Sequence, residues 1–197
     1  MTFDELISLS TAPDKVGAFV SAYRASQTDF SIGRRDLLPM RSLAPMLANI
    51  TMTEYVDNDT IIFRIAGENI TDRLGFNPAG CNTLDLIAQE KRDEAVALHN
   101  VIINHPCGSY VLYESVFQSG RRAKSESITF PLRKDALTGT FFFLSYHLHH
   151  EATGFTEVGE PTALGLSEIL TELVDIGFGA PDMPNPQELM GVALAEN

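Results

Sequence analysis

The sequence predicts a mixed α+β fold: a five-stranded antiparallel sheet with helices on one face, preceded by N-terminal helices and followed by a C-terminal helical tail. Three observations lead to this prediction. Alternating apolar and polar residues mark five strands, apolar residues at helical spacing mark the helices, and Gly, Pro, Asn and Asp mark the turns. The chain has 197 residues, 44% hydrophobic and 20% charged, which is typical of one globular domain with extensions.

Two helices are predicted before the sheet. Thr2 and Glu5 match the pattern of a helix N-cap followed three residues later by an acid. The second helix has an apolar face that includes Phe19 and Tyr23. This face packs either across the open side of the sheet or against the same helix of a second subunit, and we predict that Phe19 and Tyr23 are interaction residues.

The first two strands are predicted at about residues 50–56 and 60–66, with a hairpin turn between them. Gly67 lets the backbone turn sharply into a short helix, which Gly75 and Pro78 end. A further short helix and a longer helix at about residues 90–104 follow.

Three more strands complete the predicted sheet, at about residues 109–118, 122–132 and 140–149. Sequential antiparallel strands form a meander, and the helical crossover places the first two strands beside the last. The last strand is apolar on both sides at residues 141–144, so its second face needs a cover or a partner.

A recognisable motif lies between the second predicted strand and the helices after it. The strand Phe-Arg-Ile-Ala-Gly (residues 63–67) leads into a helix that ends in Leu-Gly-Phe-x-Pro (residues 74–78) and Gly80. Two further runs accompany it, Pro-Met-Arg-Ser-Leu-Ala-Pro at residues 39–45 and Phe-Pro-Leu at residues 130–132. The set resembles a PAS domain, and in particular the alphaproteobacterial PAS subfamily whose members are often single-domain proteins.

The resemblance implies a division of the chain into three segments. Residues 1–29 are an N-terminal helical extension, residues 30–150 are the PAS domain, and residues 151–197 are an acidic linker with a C-terminal helix. The helix is predicted at about residues 164–178, where apolar residues recur at helical spacing. We predict that it docks outside the core and exchanges for a partner's helix through its apolar stripe of Leu166, Ile169, Leu170 and Leu173.

The net charge of −12 is concentrated in the tail, because nine acidic and no basic residues follow His150. An acidic tail repels nucleic acid and anionic lipid. No apolar run approaches the roughly 20 residues that span a bilayer, and no basic leader is present. Two cysteines without CxxC spacing, Cys81 and Cys107, fit a reducing compartment. We therefore expect a cytoplasmic protein that binds neither nucleic acid nor membrane.

Familiar catalytic motifs are missing from the sequence. It contains no phosphate-binding loop, no Gly-x-Ser-x-Gly and no His-Glu-x-x-His, so we expect no enzymatic activity, with an unfamiliar active site as the remaining alternative. His147, His149 and His150 are candidate metal ligands by residue type. The first two would lie about 7 Å apart on one strand face without a third ligand, so we interpret them as an exposed strand end and expect no metal.

The resemblance to PAS domains raises two cofactors. His99 and His105 lie on or just after the helix that supplies an axial His in haem-binding PAS proteins, and Cys81 is a candidate for the flavin-linked cysteine of light-sensing relatives. The helix is mostly polar around His99, and the residues around Cys81 lack the Asn-Cys-Arg-Phe-Leu-Gln pattern of those relatives. We therefore expect no bound cofactor.

The resemblance implies a sensor or interaction module of bacterial signal transduction that acts by protein contact. Expected partners are a second copy of the chain, a sensor histidine kinase and other signalling proteins. The alternative is a receptor that holds a metabolite, a fatty acid or haem between the sheet and the long helix. The predicted lining of that cavity is mainly apolar: Phe63, Ile65, Leu74, Leu86, Leu98, Ile102, Tyr113 and Phe143.

Overall fold

The computed structural model describes residues 1–28, 32–117, 119–137, 139–155 and 167–182, and within them the fold is α+β, as predicted. The helices are α1 (Phe3–Leu9), α2 (Pro13–Ala25), α3 (Met40–Leu43), α4 (Glu68–Leu74) and α5 (Arg92–Asn104). The strands are β1 (Gly33–Arg34), β2 (Ile50–Asp57), β3 (Thr60–Ala66), β4 (Gly108–Val116), β5 (Arg121–Arg133), β6 (Phe141–Phe155) and β7 (Ser167–Val174). In this part of the chain, no helix has the length and apolar character needed to cross a membrane.

The strands form one sheet in the order β3-β2-β6-β5-β4-β7, and β1 pairs in parallel with the end of β5. Strands β2 to β6 reproduce the predicted arrangement, including the crossover that places β2 beside β6. The prediction of five strands is incomplete, because the described residues contain seven. The two added strands are β1, which is only two residues long, and β7, which extends the sheet beyond β4.

The N-terminal helices cover one face of the sheet, which we call the outer face. Helix α1 begins with a capping box, in which Glu5 N donates to Thr2 Oγ1 (3.3 Å) and Thr2 N donates to the Glu5 carboxylate (2.6 Å). In α2, the rings of Phe19 and Tyr23 stack on Phe130 of β5 at centroid distances of 5.5 and 4.4 Å. Both side chains are fully buried, so the predicted contact of Phe19 and Tyr23 with a second subunit is wrong. Their own sheet covers them instead.

The opposite, inner face is covered by α5 and the short helical turns before it. Its apolar residues form a cluster that we call the inner core: Ile61, Leu84, Ile102, Cys107, Phe143 and Leu173. Helices therefore cover both faces of the sheet, and α2 takes the first of the two places expected for it, across the side of the sheet that the other helices leave open. This double cover explains the apolar run in β6, since Phe142 and Leu144 pack under the N-terminal helices and Phe143 packs in the inner core.

The segment predicted as a C-terminal helix contains a strand. Residues 167–174 form β7, which pairs antiparallel with β4. Leu173 is buried in the inner core and Val174 is buried on the outer face, whereas Ile169 is 52% exposed. The apolar residues have helical spacing, but the segment forms a strand because the edge of β4 presents a row of backbone N–H and C=O groups that need partners. The predicted docking helix is therefore wrong for residues 167–174.

Candidate functional site

Three neighbouring strands direct hydroxyl and imidazole side chains to the inner face. These residues alternate with apolar residues of the outer face, because successive side chains of a strand point to opposite sides. We call this set the polar patch: Ser109, Tyr113 and Ser115 on β4, Ser125, Ser127 and Thr129 on β5, and Ser145, His147 and His149 on β6. The strand register pairs Ser127 with His147 and Ser125 with His149. The polar patch lies on the same face as the apolar inner core.

A chain of hydrogen bonds fixes the ring of His149. Ser115 Oγ donates to Ala123 O (3.2 Å), so it accepts from Ser125 Oγ (2.7 Å), which in turn accepts from His149 Nδ1 (2.7 Å). This direction satisfies both hydroxyl protons and assigns the proton of the neutral imidazole to Nδ1. The other nitrogen, Nε2, is then an acceptor, and it is buried without a hydrogen-bond partner.

Burial and neighbouring positive charge keep this imidazole neutral. Burial, followed by the charges of Arg73 and Arg121, lowers the pKa of His149 to about 4. Its lone pair on Nε2 is therefore free at neutral pH. The ring of Phe117 meets His149 edge-on, with centroids 5.3 Å apart.

His147, two residues before His149 on β6, has a similar environment. Its Nε2 lies 3.0 Å from Thr51 Oγ1, and its Nδ1 is buried without a partner. Burial, followed by the neighbouring His149 and by Arg73, holds the pKa of His147 well below its ordinary value. The interpretation of His147 and His149 as an exposed strand end is wrong, because β6 continues to Phe155 and both rings face the covered side of the sheet.

Arg73 adds a permanent positive charge to this region. It lies in the last turn of α4, which ends where Gly75 adopts the left-handed conformation (φ 78°). The side chain is 2% exposed, and Nε, Nη1 and Nη2 are all buried without a hydrogen-bond partner. Asn69 and Asp72 of the same helix line one cleft together with His149, and the charge of Arg73 acts on His147, His149 and Tyr113, so the guanidinium lies near the polar patch.

A cleft of about 550 Å³ opens next to the polar patch. It is lined by residues of α2, α4, the β4–β5 turn, β5 and β6, among them Lys15, Asn69, Asp72, Arg121 and His149. His149 is common to the cleft and the polar patch. The lining therefore includes the cations Lys15 and Arg121 and the carboxylate Asp72, and this excess of positive charge favours anions.

The residues considered for cofactors lie apart from this site. The Nδ1–H of His99 donates to Ala95 O (2.6 Å), and its ring meets Phe143 edge-on at 4.6 Å, while His105 is exposed. Cys81 is half-buried and free. Within the described residues, no three His, Cys, Asp or Glu side chains are grouped so that they could share a metal ion.

The residues predicted to line a cavity are buried or half-buried, with the exception of Ile65. Ile102 and Phe143 belong to the inner core and Leu98 packs against it. Tyr113 belongs instead to the polar patch. Of the remaining residues, Phe63 and Leu74 are buried and Leu86 is half-buried.

Ile65 is the one residue of that predicted lining that is exposed, by 41%, so its assignment to the cavity is wrong. A bulge places Thr53 opposite Phe63 but Met52 opposite Ile65. Directly opposed residues share a face, and Met52 packs on the outer face. Ile65 therefore lies on the outer side at the sheet edge, a shift that simple alternation along β3 does not reveal.

The predicted interaction residues of the C-terminal segment also separate. Leu170 packs against the apolar residues of the outer face and Leu173 is buried in the inner core, which leaves Ile169 as an exposed apolar residue. Leu166 lies outside the described residues. The three described side chains therefore form no common stripe.

Sequence reasoning misses the polar patch and Arg73. The patch has a signal, since Ser145, His147 and His149 alternate with apolar residues along β6 and the two preceding strands repeat the pattern. Arg73 gives no such signal in the sequence, because an arginine on a short helix with acidic neighbours is normally exposed to solvent. Its burial becomes evident only from the packing of α4.

Comparison with protein-family models matches residues 15–144 to the family PAS_5, described as PAS domain. A comparison with curated proteins found no match. The matched residues run from α2 into β6, so they include Arg73 and end just before His147 and His149.

Proposed function

Because the chain belongs to the PAS domain family, we propose that it is a sensor and interaction module of bacterial signal transduction that acts through protein contact and catalyses no reaction. Its partners in this proposal are a second copy of the chain and a sensor histidine kinase or another signalling protein of the cytoplasm. The free cysteines Cys81 and Cys107 fit a reducing compartment. The family match supports the sensor role, and the course of β6 supports the contact role.

Strand β6 connects the interior of the domain with its surface. Its residues 141–146 lie between β2 and β5, whereas residues 147–155 pair with β5 and have no strand of the described residues on their other side. The same stretch begins with His147 and His149 in the polar patch and ends with Phe155, which is 75% exposed. In the proposal, a displacement in the interior is carried along this strand to its open edge.

An open strand edge with an exposed aromatic residue favours pairing with another strand. In the proposal, the occupant at rest is the same edge of a second copy, paired antiparallel about a two-fold axis. Residues 152–155 of this edge carry no charge, so a pairing centred on them sets no like charges opposite each other. A strand of the kinase then takes the place of the second copy when the interior changes.

Light scattering after size exclusion tests the contact role. The native chain should have twice the mass of 21.6 kDa. Phe155→Glu should give a monomer, because it places a charge in the pairing surface. Leu137→Glu is the matched control, since Leu137 is 95% exposed in the turn at the other end of β6, and it should leave the dimer intact.

The same two variants test the signalling role. The native chain should capture a sensor histidine kinase from its own organism and change the rate at which that kinase autophosphorylates. Phe155→Glu should lose this effect and Leu137→Glu should keep it. A native chain that stays monomeric at high micromolar concentration and alters no captured kinase contradicts the proposal.

A second function, the reception of a small molecule, is favoured by the polar patch and Arg73. It is compatible with the first, because a molecule bound beside His149 would contact β6 directly. Among the ligand kinds considered from sequence, a polar metabolite fits hydroxyls, imidazoles and a guanidinium better than a fatty acid does.

A further inference from the structure

Arg73 is a buried positive charge that no carboxylate in the described part of the chain neutralises. Its guanidinium makes no ion pair and no hydrogen bond with the residues that the structure describes. The adjacent carboxylate of Asp72 is exposed and lines the cleft. The buried carboxylate of Glu126 is on the outer face, where it accepts hydrogen bonds from Ser10 and Thr11. Such an unpaired charge costs folding free energy.

A purely structural role does not account for this side chain. A buried arginine that serves packing pairs with a carboxylate or a carbonyl, or lies over an aromatic ring. The cation–π contacts among the described residues belong to other arginines: Arg24, Arg35, Arg121 and Arg133. The five N–H donors of Arg73 thus have no partner among the described residues.

We propose that Arg73 and His149 bind a small hydroxycarboxylic acid between α4 and the inner face of β4–β6. The planar fork of Arg73 receives the carboxylate through paired N–H bonds. The free Nε2 of His149 accepts the hydrogen bond of the hydroxyl group. This inference rests on the proposed sensor function for its use in the cell, whereas binding itself is measured on the purified protein.

The charge balance and the surroundings select this class of ligand. Arg73 is the permanent charge that is buried beside the patch, and both imidazoles are neutral at neutral pH, so one carboxylate of the ligand pairs with Arg73. The wall of the patch consists of hydroxyls, among them Ser115, Ser125 and Tyr113, which suits a short polar molecule. The cleft beside His149 gives access, and its cations Lys15 and Arg121 attract an anion.

Thermal melting and titration calorimetry of the full chain test the site with three probes: lactate, malate and citrate. At least one should raise the melting temperature, because a ligand that binds the folded state alone stabilises it. Succinate, which equals malate without the hydroxyl, should bind more weakly. Arg73→Met should weaken binding by at least about 30-fold, as expected from the loss of one partner of a buried charge pair.

Arg41→Met is the control, because Arg41 is exposed on α3, and it should bind the probe like the native chain. Arg73→Lys, which keeps the charge and loses the fork, should also bind more weakly and serves if Arg73→Met does not fold. The proposal is overturned if no probe binds, or if Arg73→Met binds a probe as tightly as the native chain. It is also overturned if succinate binds as tightly as malate, or if sodium sulfate at equal ionic strength raises the melting temperature as much as the probe does. Failure of the sensor function would appear separately: the acid would bind, but it would change neither the fraction of dimer nor the autophosphorylation rate of the kinase.

Discussion

At the scale of single residues, Gly67 shows how one missing side chain positions the site. It joins β3 to α4, and its N–H donates to Ile50 O (2.9 Å). A Cβ at this position would collide with the backbone carbonyls of Leu47 and Ala48. Its φ of −68° is open to any residue, so Gly67 is required for close approach rather than for the sharp turn that the sequence predicts. That approach fixes the start of the helix that carries Arg73.

Gly67→Ala should lower the free energy of unfolding by roughly 1–3 kcal/mol, because the added methyl group meets backbone atoms that cannot rotate away. Urea denaturation measures this change. Gly139→Ala is the control, since a Cβ there meets nothing within 4 Å, and it should change stability by no more than about 0.5 kcal/mol. Equal stability of the two variants would refute the close-packing argument.

Other single residues show where sequence reasoning stops. The capping pair Thr2 and Glu5 is predictable, because both partners are local. His147 and Arg73 are not, since their burial depends on which elements fold over them. From the sequence alone, an arginine or a histidine is expected to be exposed to solvent unless the residues that pack over it are already known.

At the scale of elements, the link between α1 and α2 is tied to the sheet by a buried carboxylate. Glu126 of β5 is fully buried and accepts from Ser10 Oγ and Thr11 Oγ1, both at 2.6 Å, with His150 Nε2 2.9 Å away. Burial alone would raise the pKa of Glu126, but the hydrogen bonds from Ser10 and Thr11 outweigh it and lower that pKa. The ionised carboxylate thus holds the helix pair on the outer face.

Glu126→Gln should lower stability at pH 7 by about 1.5–3 kcal/mol, the usual contribution of hydrogen bonds to a charged group. Because the folded state lowers this pKa, the native advantage is complete above the ordinary value near 4.5 and disappears as the pH falls through the folded value. Melting temperatures from pH 7 to pH 3 should therefore converge for the native and Glu126→Gln chains. Glu151→Gln, at an exposed position, should follow the native curve throughout.

The elements predicted correctly are those specified by their own residues. Strands β2 to β6 carry alternation with turn residues between them, and α2 and α5 carry apolar faces. Strand β7 differs, since its apolar spacing also fits a helix and its strand conformation depends on the edge of β4. A sequence window contains no information about that distant edge.

At the scale of the whole molecule, the first residue and the C-terminal segment close the sheet together. Met1 N donates to Leu173 O (2.7 Å), and Asp175 N donates to Met1 O (2.7 Å). The side chain of Gln27 donates to Ile176 O (2.9 Å). Strand β7 is thus held by β4 on one side and by the N-terminal segment at its end, which makes it part of the fold rather than a detachable arm.

Leu173→Ala should therefore lower the free energy of unfolding by about 2–5 kcal/mol, the range for a buried Leu truncated to Ala. Ile169→Ala in the same strand removes a side chain of equal size at a position that is 52% exposed, and it should cost no more than about 0.5 kcal/mol. Urea denaturation of the full chain separates the two values. The difference follows from packing, since Leu173 lies in the inner core with Ile102 and Phe143, whereas the side chain of Ile169 is exposed to solvent. If residues 167–174 instead formed a detachable docking segment, both substitutions would leave the unfolding midpoint of the domain unchanged.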